Sequence, residues 1–399
     1  MRMKQFAPSI AIALLLGIPP ITATAQEAKQ TEGYKFTSIK ELPTTSVKNQ
    51  HRSGTCWSFS GLGFFESELL RQGKPEVDLS PMFVVRMAYA DKAEKFVRMH
   101  GALNFGGGGS FYDVWDVMRK YGIVPMEVYQ GLNYGEQMHV HGELDALTEA
   151  YVKAVVKNPN RKLSSAWLKG FNGIMDAYLG AIPENFTYKG KNYTPKSFAE
   201  SLGLKLDDYV FVSSYSHHPF YTQFIIEVPD NWQLATVHNV PIAELEQIID
   251  NAIDNGYPVA WASDVSEGGF SWKHGVAIAP DMESQELQGS DMARWTKMTA
   301  KEKNEKAFER PGKELKITQE MRQAEFDNFQ TTDDHGMVLV GKAKDQNGTI
   351  YYKVKNSWGA DGKYNGFFYA SKPFVMYKTM SIMVHKSAIP KSIAQKLGL

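Results

Sequence analysis

One cysteine, Cys56, stands in 399 residues, so no internal disulfide can hold this chain and the fold must rest on buried apolar surface. With 43% of residues hydrophobic, 22% charged and a formal net charge of zero, it has the means to bury a large core. Neutrality argues against nucleic acid and acidic membranes as partners. The length fits two or three units, or one enzyme with insertions.

The chain begins with Arg2 and Lys4, continues through the apolar run Ile10-Ala11-Ile12-Ala13-Leu14-Leu15-Leu16, and reaches Ala23-Thr24-Ala25 before Gln26. That pattern predicts a signal peptide over 1–25 and export to a periplasm or the exterior. Gly17, Pro19 and Pro20 interrupt the run well short of a bilayer span, so no membrane insertion is expected once the leader is removed. A lone thiol in an oxidising compartment needs a reason. The bland one is a buried cysteine acting as a small apolar residue.

Its neighbours point elsewhere. Ser53-Gly54-Thr55-Cys56 opens a helix marked by Phe59, Leu62, Phe65 and Leu69, with Gly73 near its end, which puts Cys56 in the first turn, where free N–H groups and the helix dipole favour a thiolate. Further helices are expected at about 82–89 and 112–120, separated by a flexible Gly106-Gly107-Gly108-Gly109-Ser110 loop. Residues 26–130 form an N-terminal segment and helical lobe, and 131–204 a mostly helical insertion. Over 205–389, β-branched and aromatic runs at 209–212, 224–228, 259–262, 336–340, 350–354 and 367–370 predict strands. The charged stretch 281–330 reads as a solvated helical excursion, and 390–399 as a tail. A helical front and a strand-rich back give an α+β architecture of two lobes.

Acyl transfer through sulfur needs a nucleophile, a proton shuttle, an orienting acceptor and an oxyanion donor. Asn49-Gln50-His51-Arg52-Ser53-Gly54-Thr55-Cys56-Trp57 supplies Cys56 as nucleophile and Gln50 as oxyanion donor beside the Cys56 N–H. Gly54 lets the backbone turn tightly, and Trp57 anchors the helix. Thr331-Thr332-Asp333-Asp334-His335-Gly336-Met337 supplies His335, whose unperturbed pKa near 6.5 suits proton transfer and which a neighbouring thiolate would keep charged. Lys355-Asn356-Ser357-Trp358-Gly359 supplies Asn356 to fix the imidazole tautomer and Trp358 to shield that bond.

These three segments resemble the active-site signatures of papain-like cysteine peptidases, and within them the bleomycin hydrolase and aminopeptidase C branch. The long insertion, Lys120-Tyr121-Gly122-Ile123-Val124-Pro125, Pro258-Val259-Ala260-Trp261-Ala262-Ser263-Asp264-Val265 and Arg322-Gln323-Ala324-Glu325-Phe326-Asp327 carry the narrower likeness. The resemblance implies a papain-like two-lobe fold with a barrel-like strand lobe, peptide substrates, no metal or organic cofactor, and a possible homo-hexamer. It repeats the roles read above and adds Gly108 and Gly109 as backbone partners of an extended substrate, against the plain reading of a flexible glycine loop. In that branch the C-terminal arm lies in the cleft and offers its carboxylate to the substrate amine, ending near the position of Ile389; this chain runs on from Pro390 to Leu399. Aminopeptidase action is therefore expected, with an open-cleft endopeptidase as the alternative and a silent peptide-binding protein as a third reading. Asp264 borders the specificity pocket or caps a turn. His139-Val140-His141 and His217-His218 lack partners at metal-ligand spacing and read as solvated loop histidines.

Overall fold

The computed structural model describes residues 33–282 and 297–399; the expected signal peptide lies outside them, as does part of the charged excursion. Described residues after Gly33 belong to one compact unit. In chain order the elements are β1 (Thr37–Glu41), α1 (Cys56–Arg71), α2 (Pro81–Arg98), α3 (Phe111–Tyr121), α4 (Gly142–Val156), α5 (Trp167–Leu179), β2 (Phe186–Tyr188), β3 (Lys191–Tyr193), α6 (Pro195–Leu202), β4 (Tyr209–Ser213), β5 (Gln223–Ile225), β6 (Thr236–Asn239) and α7 (Ile242–Asp254). Then follow β7 (Val259–Ser263), β8 (Phe270–Ser271), β9 (Val276–Ala277), α8 (Ala300–Ala307), α9 (Gln319–Asp327), β10 (His335–Lys344), β11 (Ile350–Lys355), β12 (Phe367–Ser371), α10 (Lys372–Lys378), β13 (Thr379–His385) and α11 (Lys391–Leu397). The α+β class holds, with the helices of the front half packed on a large mixed sheet from the back half.

That sheet runs β5-β6-β4-β13-β7-β10-β11-β12-β9-β8, with β1 added on β10. At its centre β10 pairs antiparallel with β7 and β11. Successive β10 residues face opposite ways, and both faces are covered. Val338 and Val340 join the core built on α1, α2 and α3, while Met337 and Leu339 join a second core containing α7 and α10. Burial on both sides explains why β10 reads as a continuous apolar run.

Helix α1 carries Trp57, Phe59, Leu62, Phe64, Phe65 and Leu69 into the first core. It is buried nearly all round because the sheet takes one side and α2 and α3 the others. Among the described residues no helix is long and apolar enough to cross a membrane.

Two expectations change here. The charged excursion is not solvated throughout: Arg322 on α9 is 1% exposed, its guanidinium donating to Ser214 O and Met376 O. Buried carbonyls, rather than water, take up the Nε and Nη1 donors, while Nη2 has no partner among the described residues. His139 and His141 are buried at 4% and 0% exposure because Val140 between them pairs with Arg52, whose N–H donates to His139 O while its carbonyl accepts from His141 N.

Candidate active site

Helix α1 begins at Cys56, so the first-turn placement read from the sequence is met. Cys56 is half-buried, and the backbone N–H groups of Gly336 and Trp57 favour its charged form. Gly336 is where β10 crosses the first turn of α1: a Cβ there would come within 2.7 Å of Ser60 Oγ and 3.3 Å of Trp57 Cα. A side chain at that position would push the first turn of α1 off the strand that carries His335. The motif glycine is therefore a close-approach glycine.

His335 Nε2 lies 2.7 Å from Asn356 Oδ1, and the same oxygen accepts from the Ser357 N–H at 2.8 Å. The second bond identifies the oxygen, so His335 Nε2 must carry a hydrogen and Nδ1 keeps its lone pair. That is the tautomer a general base needs. Trp358 stacks on the ring at 4.7 Å and 30°, covering the His–Asn bond from water.

Gln50 reaches the same place through the backbone. Its N–H donates to Ser357 O at 2.8 Å, and Gly359 N–H donates to Lys48 O, so the segment before the nucleophile lies alongside the segment carrying Asn356. The Gln50 Oε1 accepts from Ser357 Oγ at 2.6 Å and Nε2 donates to Ser53 O at 2.9 Å. Among the described residues Nε2 has one acceptor, leaving its second hydrogen without a partner.

The electrostatics depart from the expected ion pair. Burial pushes the Cys56 thiol up to about 12, with the Gly336 bond opposing and Asp333 and Asp230 adding to the rise. Burial also pulls the His335 imidazole down to about 4 against the supporting bond from Asn356. Desolvation outweighs the dipole of the helix start. In both groups burial works against the charged form.

The glycine loop is pinned rather than flexible. Lys92 Nζ donates to the carbonyls of Gly106 and Gly108, and Trp57 Nε1 donates to Gly107 O at 3.1 Å. Gly54 does its service by close approach: its Cβ position lies 3.2 Å from the Gly107 backbone. A Cβ at Gly109 would meet Trp57 and Asp113 within 3 Å, and one at Gly108 would lie 2.0 Å from Asp230 Oδ2. The Cα face of Gly108 is thus covered by a carboxylate. Asp230 went unnoticed in the sequence, which gives no local sign that residue 230 meets residue 108.

Asp264 is 2% exposed and spends both oxygens on the chain, Oδ1 accepting from Ser266 N and Oδ2 from Thr332 N. It caps the turn that carries the His335 segment. His217 and His218 each meet Glu227, at 3.1 and 2.7 Å, a carboxylate that sequence spacing had not supplied. A metal does not follow. Gln323 accepts from Ser216 N through Oε1 and donates from Nε2 to His217 Nδ1, so neutral His217 carries its hydrogen on Nε2 and offers no lone pair there.

The family model for the Peptidase C1-like family matches residues 18–398. Aminopeptidase G of Lactobacillus delbrueckii subsp. lactis is 24% identical over 90% of this chain and 85% of its own length. Aminopeptidase C of Streptococcus thermophilus is 24% identical over the same shares. The crystal structure of PepW from Lactobacillus rhamnosis aligns with a TM-score of 0.68 at 20% identity, covering 91% of this chain and 84% of that one.

Proposed function

Since this chain belongs to the Peptidase C1-like family, we propose that it is a papain-like cysteine peptidase that removes residues from the N-termini of peptides, with Cys56 as nucleophile. The observation that carries the mechanism is the hydrogen bond from His335 Nε2 to an Asn356 oxygen whose identity the Ser357 N–H fixes. It leaves Nδ1 free to take the thiol proton.

As the Cys56 sulfur attacks, the C–S bond forms and the thiol proton moves to His335 Nδ1. The oxyanion is held by the Cys56 N–H and the remaining Gln50 amide hydrogen. His335 then protonates the leaving nitrogen, the C–N bond breaks and a thioester remains. Water, deprotonated by the same imidazole, cleaves the thioester and restores the thiol. Burial favours this order, since it disfavours a free thiolate, and attack passes the negative charge to the oxyanion as the imidazolium forms.

The names of the relatives, aminopeptidases G and C, support exopeptidase action. An endopeptidase is the second reading, favoured by α11: Ile393 and Leu397 dock in the second core and Lys396 pairs with Glu244, so the stretch beyond Ile389 is committed away from the site residues. Export rests on the leader pattern of 1–25. Cys56→Ala should lose all peptide hydrolysis and all labelling by thiol-directed inhibitors while melting as the parent does. Hydrolysis that survives the substitution refutes the mechanism.

A further inference from the structure

Asn356 turns one side-chain atom to His335 and leaves the other unpaired. Its Oδ1 accepts from the ring and from the Ser357 N–H, while its Nδ2 is buried and has no hydrogen-bond partner among the described residues. Asn356 is 3% exposed, so bulk solvent does not serve that amide. A buried donor without an acceptor is costly, and native structures supply one from a neighbouring group or an ordered water.

A small cavity lies against the same residue. Ser60 and Gly63 of α1 line it on one side, and Lys355, Asn356 and Ser357 at the end of β11 line it on the other. It measures about 10 Å³, room for a single water and nothing larger. Gly63 makes the space: it is buried in mid-helix between the fully buried Leu62 and Phe64, yet a Cβ built on it would touch only Val338 Cγ2, at 3.8 Å.

The polar groups around the cavity suit a water. Ser60 Oγ donates to Cys56 O and Ser357 Oγ to Gln50 Oε1, each at 2.6 Å, so both hydroxyls keep lone pairs to accept with. Lys355 Nζ gives one hydrogen to Thr45 Oγ1 and has others to give. Glu66, which also borders the cavity, is already matched by Lys48, Thr45 and the Leu79 N–H, so no ion is called for.

Building on the peptidase reading above, we propose that this cavity holds one ordered water that accepts from Asn356 Nδ2 and donates to Ser60 Oγ, tying the orienting amide to the helix that carries the nucleophile. Hydrogen bonds then run from His335 Nε2 through the Asn356 amide, the water and Ser60 to the carbonyl of Cys56. They hold helix and strands together at the place where a small displacement of the ring from the sulfur costs most. Gly63 is a positioning residue, because a side chain there would take the space of the water.

The test uses the full chain and an aminoacyl reporter. Gly63→Ala puts a methyl group in the cavity and replaces a mid-helix glycine by the best helix former, so the variant should melt no lower than the parent. Its kcat should nevertheless fall about tenfold, the scale of one unmade buried hydrogen bond, with KM within about twofold. Gly63→Ser brings a hydroxyl that can accept from Nδ2 and should keep kcat within about threefold. In an Asn356→Ala background Gly63→Ala should cost nothing further, since the water acts through that amide. A crystal structure of the parent should show the water within hydrogen-bonding distance of Asn356 Nδ2 and Ser60 Oγ. An undiminished kcat in Gly63→Ala, equal losses in the Ala and Ser variants, a further loss in the Asn356→Ala background, or a parent crystal structure without that water each overturns the proposal. A parent that hydrolyses no peptide removes the peptidase reading instead, and the crystal structure still decides the water.

Discussion

His335 and His141 make an instructive pair. Both rings are buried, at 5% and 0% exposure, and burial pulls both down to about 4. Yet His335 has one nitrogen tied to Asn356, a tryptophan over its face and the sulfur segment beside it. Neither ring nitrogen of His141 has a hydrogen-bond partner among the described residues. A perturbed pKa thus marks burial, and only the partner that fixes the tautomer, together with a route to the reacting atom, marks chemistry. The second histidine serves the first at a distance: His139 and His141 brace Arg52, four residues before Cys56.

The sharpest way to break the comparison is to remove each ring in turn. His335→Ala should lower kcat by roughly a thousandfold or more, the worth of a general acid and base, whereas His141→Leu should leave kcat within about twofold because its ring touches no reacting atom. Equal losses in the two variants would show that His141 acts in the chemistry. Next in size is Asn356→Ala, which frees the imidazole to take either tautomer and should cost about a hundredfold in kcat. Labelling of Cys56 should persist in it, since the packing of Gly336 on the first turn of α1 does not involve Asn356; lost labelling would mean that Asn356 holds the fold rather than the ring.

The sequence made the site more legible than the cleft around it. Cys56, His335, Asn356 and Gln50 lie in short runs whose residue types carry their roles, and β10 announces itself by unbroken apolar character. Strand β13 was missed, because Thr379 is fully buried within it and looks polar in sequence. Its hydroxyl is satisfied inside, accepting from Trp261 Nε1 and donating to Val375 O. Arg322 misled in the same manner, its partners being carbonyls far along the chain. Asp230 was invisible for a related reason: no local period or turn signal reports that a loop residue will lie on Gly108. Polar groups satisfied or opposed at long range are what a one-dimensional reading loses.

The smallest expected effect concerns stability rather than rate. A histidine held neutral at about 4 when folded and titrating near 6.5 when unfolded lets the unfolded chain bind the extra proton between those values, so the stability present above pH 6.5 is lost as the pH falls toward 4. At pH 5 that loss is about 2 kcal/mol for His141 alone. His141→Leu removes the titrating group and its unpaired ring nitrogens, at the risk of a small packing defect. Urea unfolding at pH 7.5 and pH 5 should show the variant losing about 2 kcal/mol less than the parent on acidification. An identical loss in both would mean that water reaches the His141 ring, and with it the contrast with His335 would narrow to the bond that Asn356 supplies.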